Sequence, residues 1–182
     1  MRISPQSVNP TRKSGHDSLY KSSLKGYSFL SNGVNDTLRI GRTIARNLKK
    51  GDIICLFGEL GSGKTVLTKG IAWGLRIKSR MIISPSFVLI RQYNGPRLPL
   101  YHFDLYRLKE QKDILSLGYE EYLYDEGVTV IEWADRLKSL IPNEYLKIEL
   151  LLRANTQRLL KFSGIGERYK ELLGKVYEDI SH

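Results

Sequence analysis

Gly58-Glu59-Leu60-Gly61-Ser62-Gly63-Lys64-Thr65 follows the order G-x-x-x-x-G-K-[S/T], a spacing suited to wrapping a polyphosphate. Ile53-Ile54-Cys55-Leu56-Phe57 reads as a buried strand entering the loop, after a turn at Gly51-Asp52. Val66, Leu67, Gly70, Ile71 and Leu75 then recur at helical spacing, so the loop opens a helix whose free N–H groups face the phosphates. The glycines let the backbone curl into an anion nest that a β-carbon would crowd. Lys64 reaches the β/γ oxygens and the Thr65 hydroxyl can ligate Mg²⁺. Glu59, Leu60, Gly61, Ser62, Gly63, Lys64 and Thr65 are the candidate nucleotide-binding residues, and Lys64 is also a candidate catalytic cation. The competing reading, a Gly-rich turn with a solvated lysine, does not account for the ordered strand, loop and helix.

Turnover requires an acid to hold the metal and a group to orient the attacking water. Asp104 ends the apolar run Leu100-Tyr101-His102-Phe103, and Glu132 ends Val128-Thr129-Val130-Ile131. Strand ends of this kind carry ligand contacts in doubly wound sheets. Asp104 has the short carboxylate suited to a direct or indirect Mg²⁺ contact. Glu132 has the reach to polarise a water, and it stands beside Asp104 as a candidate metal ligand. Either acid reads alternatively as a helix cap or a partner for arginine. Trp133 reads equally as a core aromatic, and His102 as a packed strand histidine that alternation places with Asp104.

The elements that must position these groups form one α/β domain with a mixed sheet, because hairpins interrupt βαβ alternation. Tyr27 to Leu30 is a strand, and Asn35-Asp36-Thr37 caps a helix to Lys50 with Leu38, Ile40, Ile44 and Leu48 inward. Phe87 to Tyr93 and Leu98 to Tyr106 pair around Asn94-Gly95-Pro96. Lys109 to Leu117 is a short helix ended by Gly118, and Val128 to Ile131 a central strand. Leu146 to Leu152 and Gln157 to Phe162 form a second hairpin, and a helix over about 166–178 closes the domain. Residues 1–26 are rich in serine and basic residues without apolar periodicity, which predicts a disordered basic extension before a phosphate-loop domain over 27–182.

The 182 residues suffice for one cored domain. The net charge of +10 suits an anionic partner such as RNA or an acidic protein surface. Cys55, the only cysteine, lies between Ile54 and Leu56 and reads as a core residue. No apolar run approaches the ~20 residues of a membrane span. Together these point to a cytoplasmic protein. No aspartate is followed three residues later by glycine and no N/T-K-x-D occurs, which removes the GTPase class. Arg76, Arg80, Arg91, Arg97 and Arg107 are scattered rather than gathered into a kinase lid.

His102-Phe103-Asp104-Leu105-Tyr106-Arg107, with the phosphate loop and Ser84-Pro85-Ser86-Phe87 before it and Ile131-Glu132-Trp133 after it, resembles the bacterial TsaE (YjeE) family. The resemblance covers roughly residues 27 to 162. It implies an ATPase of tRNA N6-threonylcarbamoyladenosine synthesis that binds ATP and Mg²⁺ and hydrolyses ATP slowly, with TsaD- and TsaB-type partners. It puts Lys64 and Thr65 on the family's phosphate-loop positions and Asp104 on its metal-linked aspartate. Glu132 falls on its essential glutamate and Trp133 on the indole beside the nucleotide. Ser86 falls in a loop resembling a nucleotide-sensing switch, where the family has threonine. Tyr106 and Arg107, with His102, are candidates for shaping the site or meeting a partner. Two further readings remain: a small-molecule phosphotransferase, and a non-catalytic, nucleotide-gated RNA-binding module.

Overall fold

The computed structural model describes residues 19–22, 26–78, 82–123 and 126–181. Strands β1 (Leu19–Ser22), β2 (Gly26–Ser31), β3 (Ile53–Phe57), β4 (Ile90–Tyr93), β5 (Leu100–Asp104), β6 (Val128–Glu132), β7 (Tyr145–Leu152) and β8 (Arg158–Ile165) form one sheet in the order β1-β2-β8-β7-β3-β6-β5-β4. The interior pairs β3–β6, β3–β7 and β5–β6 are parallel. The outer pairs are antiparallel, including both expected hairpins. Helices α1 (Val34–Arg46), α2 (Lys64–Gly74), α3 (Gln111–Leu115), α4 (Glu120–Leu123) and α5 (Glu167–Ser181) cover the sheet. Of the extension expected to be disordered, residues 1–18 and 23–25 lie outside the described residues, and Leu19–Ser22 forms β1 beside β2. Among the described residues no helix is long and apolar enough to cross a membrane.

The central strands read as unbroken apolar runs because both their faces are covered. Alternation along β3 sends Ile54 and Leu56 into the core under α1, α2 and α5. Ile53 and Cys55 go to the other face, with Phe103, Ile131 and the short helices. Burial pushes the Cys55 thiol well above its ordinary range, so it is a packing residue. On that second face Trp133 turns the chain out of β6 with a left-handed backbone (φ 59) into the 3₁₀ turns Ala134–Leu140.

Several boundaries differ from the sequence expectation; α1 ends at Arg46 rather than Lys50, and β4 begins at Ile90 rather than Phe87. Helix α1 begins at Val34 after Gly33, because the Thr37 N–H bonds the Gly33 carbonyl at 3.1 Å. Asp36 instead accepts from the Asn32 N–H at 3.0 Å. The expected helix 109–117 shortens to α3, and a second short helix, α4, follows Gly118, whose φ of 61 turns the chain. Helix α5 is tied down by Arg168, whose guanidinium donates from both Nε and a terminal nitrogen to Asp52 at 3.0 and 2.5 Å. The neighbouring Tyr169 hydroxyl accepts the Ile53 N–H at 2.7 Å. The C-terminal helix thereby fixes the start of β3, the strand that feeds the phosphate loop.

Helices α1 and α2 approach closely because glycines face each other's backbone. A β-carbon on Gly70 would lie 2.4 Å from the Leu38 carbonyl oxygen, and one on Gly41 would lie 2.5 Å from that of Leu67. In an exposed helix, alanine in place of glycine would gain up to about 1 kcal/mol of propensity. Here the methyl group must push apart two helix backbones. Gly70→Ala is expected to destabilise the protein by about 1–3 kcal/mol, read as a lower urea midpoint. An unchanged or higher midpoint would contradict this close approach.

Candidate functional site

Strands β3, β5 and β6 end at the same edge of the sheet, and register sets Asp104 directly beside Glu132. The phosphate loop leaves β3 between them and α2. Its backbone needs glycine at three places: Gly58, Gly61 and Gly63 have φ of 138, 78 and 103. A β-carbon at Gly58 would also meet the Leu150 carbonyl oxygen at 2.5 Å. Lys64 starts α2 and is 4% exposed, yet among the described residues its ammonium makes no ion pair. It donates to the carbonyls of Gly58 at 2.7 Å and Glu59 at 2.9 Å, and stands 3.8 Å from the centre of the Trp133 ring. Burial lowers its pKa, against the opposing pull of Glu132, Asp104 and Asp135. The Ser62 hydroxyl is buried with no partner among the described residues. A buried cation that touches no carboxylate, in the same loop as an orphaned donor, is an arrangement that an anion would complete.

Glu132 is buried and held on three sides. Its Oε2 accepts from the Thr65 hydroxyl at 2.8 Å, and its Oε1 from the Thr68 hydroxyl at 3.0 Å. Nε2 of the fully buried His102 lies 2.7 Å from the same Oε1. Nδ1 of His102 has no partner among the described residues. A neutral ring with the proton on Nε2 leaves only an acceptor orphaned, which costs less than a buried unpaired N–H. Asp104 belongs to a separate network. Its Oδ2 accepts from the hydroxyls of Ser84 and Ser86, the latter at 2.5 Å, and its Oδ1 from the Tyr106 N–H at 3.0 Å. The segment Ser84–Ser86 is thereby latched to the carboxylate at the end of β5.

A cleft of about 450 Å³ joins the two networks, lined by Lys64, Thr65, Ser86, Asp104, Glu132 and Trp133. Leu60, Tyr106 and Arg107 stand at its rim with Phe87, whose ring lies 4.0 Å under the Arg107 guanidinium. The Tyr106 and Trp133 rings are 4.9 Å apart. His102 lines no part of this cleft and acts on it only through Glu132. Glu59 and Ser62 do not line it either: Glu59 contributes a backbone carbonyl to Lys64, and the Ser62 hydroxyl is buried without a partner among the described residues.

Three participants were not singled out from the sequence. Thr68 lies one helical turn beyond Lys64, and its single hydroxyl proton is shared between that residue's carbonyl at 3.1 Å and the stronger acceptor, Glu132 Oε1, at 3.0 Å. Its spacing from Thr65 puts both hydroxyls on one helix face, which was a usable signal. Ser84 entered the sequence reading only within the string Ser84-Pro85-Ser86-Phe87, with no role of its own. The role of Phe87 as a platform for Arg107 depends on a contact across the chain.

Residues 31–160 match the family model described as "Threonylcarbamoyl adenosine biosynthesis protein TsaE". The chain is 39% identical over 137 residues to the tRNA threonylcarbamoyladenosine biosynthesis protein TsaE of Bacillus subtilis, covering 75% of this chain and 85% of that one. It is 41% identical over 129 residues to the Treponema pallidum protein of the same name, covering 71% and 94%. The crystal structure of Bacillus subtilis YdiB superposes with a TM-score of 0.74 at 34% identity, covering 87% of this chain and 98% of that one.

The Glu132 cluster generates a test of its own. Thr68→Val keeps the shape of the side chain but removes one donor from a buried carboxylate. Thermal or urea unfolding should show a loss of about 1–3 kcal/mol. Wild-type stability in this variant would mean that Glu132 does not need the bond.

Proposed function

The chain belongs to the TsaE family, and on that premise we propose that it binds ATP with Mg²⁺ and hydrolyses it to support the complex that synthesises N6-threonylcarbamoyladenosine in tRNA. One observation carries the reading: the buried Lys64 ammonium, bonded only to carbonyls, opens onto a cleft that also presents Thr65, Asp104 and Glu132. A triphosphate would give that ammonium the direct ionic contact it lacks. The loop N–H groups and the Ser62 hydroxyl would add donors. Glu59, Leu60, Gly61 and Gly63 would form the backbone of the cradle, and Trp133 would flank it.

The residues also suit Mg²⁺. Among the described residues no group of three or more His, Cys, Asp or Glu side chains could hold a metal alone. That fits a small hard cation that takes most of its ligands from phosphate and water. Thr65, with Asp104 or Glu132, would hold it, and it would supply neutralisation of phosphate charge. Thr68 and His102 both load Oε1 of Glu132, whereas Oε2 has Thr65 alone. Oε2 is therefore the atom with lone-pair capacity to accept a proton from an attacking water. His102 and Thr68 are positioning residues that hold the carboxylate in place for this.

The latch from Ser84 and Ser86 to Asp104, with Tyr106 and Arg107 beside it, would let nucleotide state reach the rim of the cleft. TsaD- and TsaB-type subunits are the partners this reading expects to sense it. ATP would hold one state of the assembly and hydrolysis would release it.

Lys64→Ala should remove most of the ATP-induced stabilisation, which is about 2.7 kcal/mol for the wild type at a hundredfold excess over Kd. An undiminished melting shift in this variant would refute the phosphate-loop site. Glu132→Gln should keep the shift while phosphate release falls about 10²-fold or more. In modification reconstituted with purified partners, it should also fail to sustain repeated cycles. Full hydrolysis by Glu132→Gln would clear Glu132 of catalysis. A phosphorylated small-molecule product would replace the reading with a phosphotransferase.

A further inference from the structure

Positive charge is segregated in this chain. Residues 37–51 and 60–103 hold twelve lysines and arginines and no aspartate or glutamate, which exceeds the +10 of the whole chain. These segments supply all but the first turn of α1 and the whole of α2, which pack on each other through Gly41 and Gly70. Folding therefore places nine of the twelve on this helix pair and the residues just after each helix. Its outer face presents Arg42 and Arg46 from α1, and Trp73, Arg76 and Lys78 from α2 and the residues just after it, all exposed. Arg97 joins them from the β4–β5 loop, donating to the carbonyls of Ala45 at 2.5 Å and Arg46 at 2.8 Å. Among the described residues none of these five cations is paired with a carboxylate.

We propose that this face binds RNA. Charge complementarity argues for a polyanion, and the residue types narrow it. Arg42, Arg46 and Arg76 present planar forks that match phosphate oxygens, whereas Arg97 spends its own on the carbonyls at the end of α1 and adds only charge. The exposed Trp73 ring carries the Arg42 guanidinium over one face, 4.6 Å from its centre, which pairs a phosphate-binding group with a half-exposed indole. An acidic polypeptide would use the charges but has no need of the exposed indole. A nucleic acid uses both, through backbone contacts and base stacking. None of these residues lines the cleft at the N-terminal end of α2, so the face is distinct from the nucleotide site and does not rest on its assignment.

The test is binding of a fluorescent tRNA transcript to the full chain across a salt series, with polyglutamate as competitor. The wild type should show a steep fall of affinity with salt. The triple variant Arg42→Ala, Arg46→Ala, Arg76→Ala should lose at least tenfold in affinity and lower the salt slope by about two to three. Trp73→Ala should weaken binding about tenfold while leaving the slope nearly unchanged. Each variant should keep the wild-type melting temperature, which shows it is folded, and the ATP-induced melting shift, measured separately, distinguishes this result from the nucleotide reading. Unaltered affinity and slope in the triple variant would overturn the proposal. So would displacement of the transcript by polyglutamate at equal charge concentration, which would identify an acidic protein surface as the occupant.

Discussion

Glu132 is a buried carboxylate at the meeting point of the sheet and the phosphate loop, and the molecule is arranged to make that burial tolerable. An ionised group out of water must be hydrogen-bonded or paired to persist. Here the donors come from two elements: Thr65 and Thr68 on α2, and His102 on β5. Glu132 itself ends β6, so one side chain ties the helix that carries the loop to two strands. The Lys64 ammonium nearby adds favourable charge without touching it. The position of the carboxylate is therefore set by the same residues that begin α2. A change in how the loop holds an anion would pass directly to Glu132.

The rest of the fold serves this junction. Parallel pairing of β3, β5 and β6 brings the loop, Asp104 and Glu132 to one edge. Arg168 and Tyr169 on α5 grip the turn before β3 and its first N–H, which fixes where the loop begins. Trp133 follows Glu132 in a left-handed conformation unusual for a bulky residue. That turn brings the indole over the Lys64 ammonium. Local strain of this kind is stored at sites where the position of a side chain matters more than the ease of the backbone.

Much of this was legible because the signals are local. The phosphate loop is a contiguous pattern bounded by a strand and a helix, and the acids at Asp104 and Glu132 stand at the ends of apolar runs. The mixed sheet followed from hairpins within a βαβ frame. What stayed hidden depends on distance in sequence. Nothing near His102 indicates that its ring meets a carboxylate on another strand. The latch of Ser84 on Asp104 requires the intervening chain to double back through β4. Trp133 gave equal weight to a core position, since only its backbone angle sends it toward the cleft. The start of α1 was misplaced because Asn35-Asp36-Thr37 has capping residues, whereas Gly33 supplies the carbonyl that opens the helix. Segregation of charge was visible as composition. Its gathering onto one face depends on glycine-mediated contact between α1 and α2.

If the buried carboxylate is the junction described, His102 and Glu132 must act as one energetic unit. A double-mutant cycle with His102→Asn and Glu132→Gln, read as the free energy of unfolding, measures this directly. Strong coupling, of about 1 kcal/mol or more, is the predicted result for partners in one buried network. Effects that add to within about 0.5 kcal/mol would contradict it, and would mean that Glu132 is held in place by packing rather than by its hydrogen bonds.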